Sequence, residues 1–252
     1  MIPRFLSTVV CVVGIGIGPC KAADLNFVTH EFPPYSYEAH GVAVGPLVDV
    51  VMGVCEEIGR SCSIKILPWR RAIDGLEAGA ADGIFPVLPN SERREKYTLS
   101  PSIVKIYYGF YSRSERNWTY SDATSLEGKT VAVFGPSGTS SEAEGLVRQT
   151  KTARIEVEVS NEVMLHKLAE ERYGRDGVGF INLDVARDII KRTGYDTLRE
   201  AGTATVLTYA IAFSRSSKVS KDTELFNDRV KKSKLNGSIK RILSQYGLQQ
   251  AD

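Results

Sequence analysis

A strand and helix pattern that occurs twice along the chain is the feature that most limits its fold. Residues 25–28 alternate into a first strand, and Pro46 opens a helix with Leu47, Val50, Val51, Val54 and Ile58 on one face, stopped by Gly59. Residues 62–67 form the next strand. Behind Trp69, Ala72, Ile73 and Leu76 recur at helical spacing, and Gly79 stands where a left-handed cap belongs. A buried strand begins at Asp82 and is predicted to end by Pro86 and Pro89, which cannot donate to a sheet ladder. The pattern returns with strands at 130–134, 154–159 and 177–181 and helices at 140–149, 161–172 and onward to Arg192. Each β-α-β-α-β run requires a parallel sheet with right-handed crossovers.

Two long β-type runs, 102–112 and 204–213, lie between and after these units. They predict an α/β protein of two Rossmann-like lobes joined by a two-strand hinge. Lobe one is expected at 23–108 and 212–252, and lobe two is inserted at 109–211. A single continuous sheet with linear domain order is the competing arrangement. Hinged lobes enclose a cleft that can close. Ligands of open α/β sheets bind beyond the carboxyl ends of the strands. The polar turn Asn90-Ser91-Glu92-Arg93-Arg94 and the segment Gly135 through Glu142 both occupy that place. The second runs from a strand into a helix, so its first amides favour an anion, and Thr139 with Glu142 spells a capping box.

The N-terminus carries Arg4, an apolar run from Phe5 to Ile17 and small residues around Cys20-Lys21-Ala22, the composition of an export signal covering 1–22. Lipid attachment at Cys20 is a rival, weakened by Pro19. Removing 1–22 removes Arg4, Lys21 and no acid, so the formal net charge falls from +2 to 0. A balanced surface gives no footprint for nucleic acid or anionic lipid. Cys55 and Cys62 remain, and in an oxidising compartment they are either a disulfide or two buried apolar side chains. His30, His40 and His166 are scattered without a second ligand at zinc spacing, so no metal and no cofactor is expected.

The order L-x-x-G-x-x-D-G-I after Trp69 and then S-E-x-R, with PPYSYE at 33–38, GPLVD at 45–49, LEGKTVAVFG at 126–135 and NGSIKRILSQYG at 236–247, resembles the periplasmic solute-binding proteins of polar amino-acid ABC importers, family 3 type. The likeness runs from Leu25 to about Leu248. It implies a type II periplasmic-binding fold, a monomer, an inner-membrane ABC permease as partner and a small carboxylate-bearing ligand such as a polar amino acid. It also implies that Arg94 grips the ligand carboxylate, that Thr139 or Ser140 makes the second contact, that Phe32 and Trp69 sandwich the ligand body, and that Cys55 and Cys62 are bridged. Tyr35 is a further pocket candidate or a core residue. Asn182 stands where the resemblance implies an aspartate for the α-ammonium, and Asp184 follows two residues on. No catalytic residue is expected. Two rivals stay open: a dehydratase of the cyclohexadienyl type with Glu31 as its acid, and a ligand-presenting partner of a membrane sensor.

Overall fold

The structure is a computed structural model that describes residues 25–215 and 220–252; the expected export signal and Cys20 lie outside the described residues. The first unit runs β1 (Leu25–Thr29), the hairpin β2 (Tyr37–Ala39) and β3 (Val42–Val44), α1 (Pro46–Glu57), β4 (Cys62–Ile66), α2 (Trp69–Glu77), β5 (Gly83–Val87), α3 (Ser91–Lys96) and β6 (Tyr97–Leu99). The long strand β7 (Val104–Arg113) leads to the second unit: β8 (Thr130–Phe134), α4 (Gly138–Val147), β9 (Arg154–Glu158), α5 (Asn161–Ala169), β10 (Gly177–Asn182) and α6 (Leu183–Thr193). The strand β11 (Leu198–Ser214) returns to α7 (Ser220–Leu235), α8 (Ser238–Gln245) and the short β12 (Gln249–Gln250).

Strand order is β4-β1-β5-β11-β7-β10-β8-β9. Pairing of β1 with β4 and β5, and of β8 with β9 and β10, is parallel. Each unit therefore places its first strand centrally, between its second and third, the arrangement that helical crossovers impose. β11 is common to both halves. From Leu198 to Tyr209 it pairs antiparallel with β7, and from Ala210 to Ser214 it pairs with β5 and β6. The hydrogen-bonded path is continuous, but the partner changes at Tyr209 and Ala210, which divides the ladder into two lobes.

Pro86 does not end β5 as predicted; the strand runs on to Val87. Ala210 faces Val87 and Ala212 faces Ile84, so β5 fits one extra residue into this step of the ladder. A bulge there tolerates a proline that brings no N–H. Predicted elements otherwise fall within a few residues of those observed. The turn at 90–94 is in fact the helix α3, and β11 begins six residues before the predicted 204.

Burial follows the apolar faces. Leu47, Val50, Val51 and Val54 of α1 are at most 2% exposed, each contributing on the order of 1.5–3 kcal/mol of transfer free energy. Phe27, Phe85, Phe213 and Phe226 are buried, and rings of Phe27, Phe213 and Phe226 meet at 5.3–5.9 Å. Cys55 and Cys62 form a disulfide from the last turn of α1 to the start of β4. Among the described residues no helix is long and apolar enough to cross a membrane.

Candidate functional site

Carboxyl ends of the parallel strands in both lobes meet across one cleft, where an open α/β sheet binds ligands. His30 and Phe32 follow β1, Trp69 follows β4, Leu88 and Arg93 follow β5, Phe134 ends β8 with Gly135 to Thr139 after it, and Ser160 follows β9. The main chamber has a volume of about 610 Å³ and is lined by residues of both lobes, among them His30, Ile66, Trp69, Phe134, Val159 and Ile189. A smaller recess of about 30 Å³ continues inward between Arg93 and Leu88 of lobe one and Gly138 and Thr139 of lobe two, against Tyr108 and Tyr209 of the two hinge strands.

The arginine in this recess is Arg93, not the expected Arg94. Asn90 caps α3 by accepting from the Arg93 amide at 2.9 Å, and the Arg93 guanidinium lies 5.3 Å from the centre of the Trp69 ring. That is cation–π distance. Nη1 of Arg93 donates to the Leu88 carbonyl at 3.4 Å, and the guanidinium makes no ion pair among the described residues. Burial draws its pKa below the ordinary guanidinium value. Arg94, one residue and so about 100° further round the helix, is exposed. Its carbonyl accepts from Arg215 at 2.8 Å.

An aromatic wall runs inward from the chamber. Trp69 and His30 lie 4.9 Å apart between ring centres, His30 stacks on Phe32 at 4.8 Å, and Phe32 stacks on Tyr35 at 5.6 Å. Phe32 and Trp69 thus line the chamber, whereas Tyr35 is fully buried and lines neither cavity. His30 was not among the predicted ligand contacts, yet it lines both cavities. Its Nδ1 is buried without a hydrogen-bond partner among the described residues. Burial, and secondarily the Arg93 charge, lower its pKa to about 3.

Beneath this wall a chain of hydroxyls crosses between the lobes. Thr139 Oγ1 and the Tyr108 hydroxyl are 3.0 Å apart, the Tyr108 and Tyr209 hydroxyls 2.7 Å, and Asn182 Nδ2 donates to the hydroxyls of Tyr209 and Tyr35 at 3.2 Å each. The Tyr35 hydroxyl donates to Asp184 at 2.8 Å. Burial holds Tyr35 and Tyr209 well above the usual phenol pKa, so they remain neutral donors.

Two predicted contacts are engaged elsewhere. Asn182 caps α6, its Oδ1 accepting from the amides of Asp184 and Val185 at 2.9 and 3.2 Å, and it lines neither cavity. Ser140 belongs to the capping box of α4: Ser137 accepts from the Thr139 and Ser140 amides, and the Ser140 hydroxyl returns to the Ser137 amide at 3.0 Å. The expected box of Thr139 with Glu142 is therefore shifted by two residues, because the helix starts at Gly138. Thr139 is the one of this pair that reaches the recess. Glu31 is exposed at the mouth, where its carboxylate accepts from the Glu38 amide at 3.1 Å.

Two doubly wound lobes that share a two-strand crossing and close a ligand-sized cleft between their strand ends define the type II periplasmic-binding fold. Residues 25–249 match the bacterial extracellular solute-binding proteins, family 3, and the chain belongs to that family. Solved structures agree on the fold. A histidine kinase sensor domain with similarity to periplasmic binding proteins superposes with a TM-score of 0.80 at 15% identity, covering 92% of this chain and 99% of its own. An ancestral arginine-binding protein bound to arginine gives 0.76 at 17% identity, covering 89% and 98%. The arginine-, lysine-, histidine-binding protein ArtJ from Geobacillus stearothermophilus gives 0.74 at 19% identity, covering 88% and 94%. No curated protein matches the sequence of this chain.

Proposed function

We propose that this chain is the exported, periplasmic substrate-binding component of an ABC importer, which closes its lobes on a small carboxylate-bearing solute and delivers it to an inner-membrane permease without chemical change. The observation that carries this reading is Arg93, an ion-unpaired guanidinium braced on Trp69 at the inner end of a cleft, opposite the first turn of α4. A guanidinium presents a planar fork matched to a carboxylate, and the positive end of the α4 dipole favours the same charge. The change of β11 partner at Tyr209 and Ala210 supports a lobe one of 23–108 and 212–252 around an inserted lobe two of 109–211. The TM-score of 0.80 with a kinase sensor domain favours a second reading, a binding protein that presents its closed form to a membrane receptor. Neighbouring genes for a permease and ATPase, or for a kinase, separate the two.

A thermal-shift screen of carboxylates on the mature protein identifies ligands, since stabilisation grows with the logarithm of ligand over Kd. Loss of one partner of a buried, hydrogen-bonded charge pair costs about 2–5 kcal/mol. Arg93→Ala should therefore weaken binding of the best hit by roughly thirtyfold to several thousandfold. Arg94→Ala, an exposed neighbour of equal charge, serves as control and should bind as wild type. Equal affinities for Arg93→Ala and wild type by calorimetry would sink the carboxylate assignment.

A further inference from the structure

We propose that the cleft selects carboxylates with a flat apolar body and no ammonium group next to the carboxylate. This deepens the reading of Arg93 as the carboxylate clamp and rests on it. An ammonium on the carbon beside a clamped carboxylate would lie within a few ångströms of Arg93 and would need acceptors there, preferably an anion.

The inner end of the cleft provides no anion. Among the described residues its lining contains no aspartate or glutamate, and it holds the Arg93 guanidinium. Asn182, the nearest amide behind the wall, has both donors on tyrosine hydroxyls and its oxygen on two backbone amides. That exhausts an amide's ordinary capacity. Asp184 lies behind Tyr35 and faces away. Its oxygens take the Tyr35 hydroxyl and Arg187 at 2.8 and 3.0 Å, and it opens on a separate surface recess beside Lys105 and Gly247. The Leu88 carbonyl already accepts from Arg93, and the Tyr108, Tyr209 and Thr139 hydroxyls are joined to one another. His30, the remaining polar ring at this depth, is held neutral by burial and by Arg93, so it offers an ammonium at most one uncharged acceptor and no negative charge to offset Arg93.

The chamber beyond suits an apolar body. Ile66, Leu67, Trp69, Phe134, Val159 and Ile189 wall it, and its volume of about 610 Å³ lies within the range of pockets that enclose drug-sized molecules. Charged groups return only at the mouth, with Arg70, with Glu162 paired to Arg192 at 3.0 Å, and with Glu31, whose carboxylate accepts from the Glu38 amide at 3.1 Å and lies beyond the reach of an ammonium beside a carboxylate clamped on Arg93.

The test is a pair of matched acids on the mature protein, with binding measured by calorimetry: 3-phenylpropanoate against L-phenylalanine, and indole-3-propanoate against L-tryptophan, with 3-phenylpropanamide as the uncharged control. The des-amino acids should bind tighter than their amino-acid counterparts by roughly tenfold or more, the signature of a buried ammonium without an acceptor. Amino acids that bind as well as or better than the des-amino acids would overturn the inference, while a weakened amide in the same experiment would leave the Arg93 clamp standing. An amide that binds as well as its acid would overturn the clamp itself. Absence of heat from either des-amino acid at millimolar concentration would overturn the inference as well. Asn182→Asp keeps the cap oxygen of α6 and installs a charge behind the recess, so it should narrow the preference by roughly tenfold. An unchanged preference in a folded Asn182→Asp protein would overturn the missing acid as its cause.

Discussion

At the scale of single residues, Arg93 and Arg94 show where a sequence stops being informative. Both are guanidiniums on a polar turn, and one position on a helix rotates a side chain by about 100°, so the choice depends on where the helix starts. Asn90 was the available signal: as N-cap it places Arg93 at the third helical position, towards Trp69. His30 had no such signal, since nothing local to it announces that Trp69, Phe32 and Arg93 converge on its ring. Its environment predicts a pH dependence. A histidine with a folded pKa of about 3 and an ordinary value of 6.5 binds fewer protons folded than unfolded between those limits. Its contribution is therefore fully present above 6.5 and is lost as pH falls through the window, at up to about 1.4 kcal/mol per pH unit. The other charged groups around this chamber are Arg93 on the inner side and, at the mouth, Glu31, Arg70 and the paired Glu162 and Arg192. Thermal melts from pH 7 to 4.5 should fall more steeply for wild type than for His30→Gln. Parallel slopes would show that the ring does not stay neutral.

Elements were legible in proportion to the apolar face each one buries. The helix α1 and the two central strands β1 and β8 fall close to their predicted bounds because buried apolar residues recur at the period of the structure. The helix α3 buries no residue, so no period marked it and it passed for a turn. The early part of β11 buries Leu198 and Ala201 but sets Arg199, Glu200 and Gly202 around them, so no alternation marked it, and its pairing with β7 is a property of the assembled sheet. At α4 the small residues Gly138 to Ser141 offer several equivalent caps, and Ser137 wins because its hydroxyl reaches two amides. The disulfide belongs to this scale, since it ties the last turn of α1 to β4 across a separation of seven residues. A loop this short restricts the unfolded chain modestly, so replacing both cysteines by serine should cost about 2–3 kcal/mol in the chain-entropy estimate. Urea unfolding of the oxidised protein and of the Cys55→Ser, Cys62→Ser double variant measures it. An unchanged midpoint would mean that the bridge adds nothing beyond the packing of α1.

At the scale of the whole molecule, the repeat of β-α-β-α-β units made two α/β lobes readable, but the depth of their contact was not, because it depends on residues far apart in sequence. Tyr35 of lobe one reaches Asp184 of lobe two at 2.8 Å, and Leu88 packs so closely on Gly138 that a β-carbon added there would lie 3.0 Å from the leucine Cδ1. Closure of the proposed lobes thus ends on a glycine, at the mouth of the recess that holds Arg93 and Thr139. Ala at 138 could be absorbed by a small shift of the leucine, whereas the branched Val would have its added methyl groups inside that contact, and a packed interface gives way as a unit. Gly138→Val should leave each lobe folded while holding them apart. Small-angle scattering at saturating ligand should then show a larger radius than wild type under the same conditions. Because a ligand that bridges both lobes binds only the closed form, lowering that population lowers apparent affinity in proportion, by roughly tenfold for each 1.4 kcal/mol of closure lost. A Gly138→Val protein with wild-type radius and wild-type affinity would show that lobe closure does not pass through this contact.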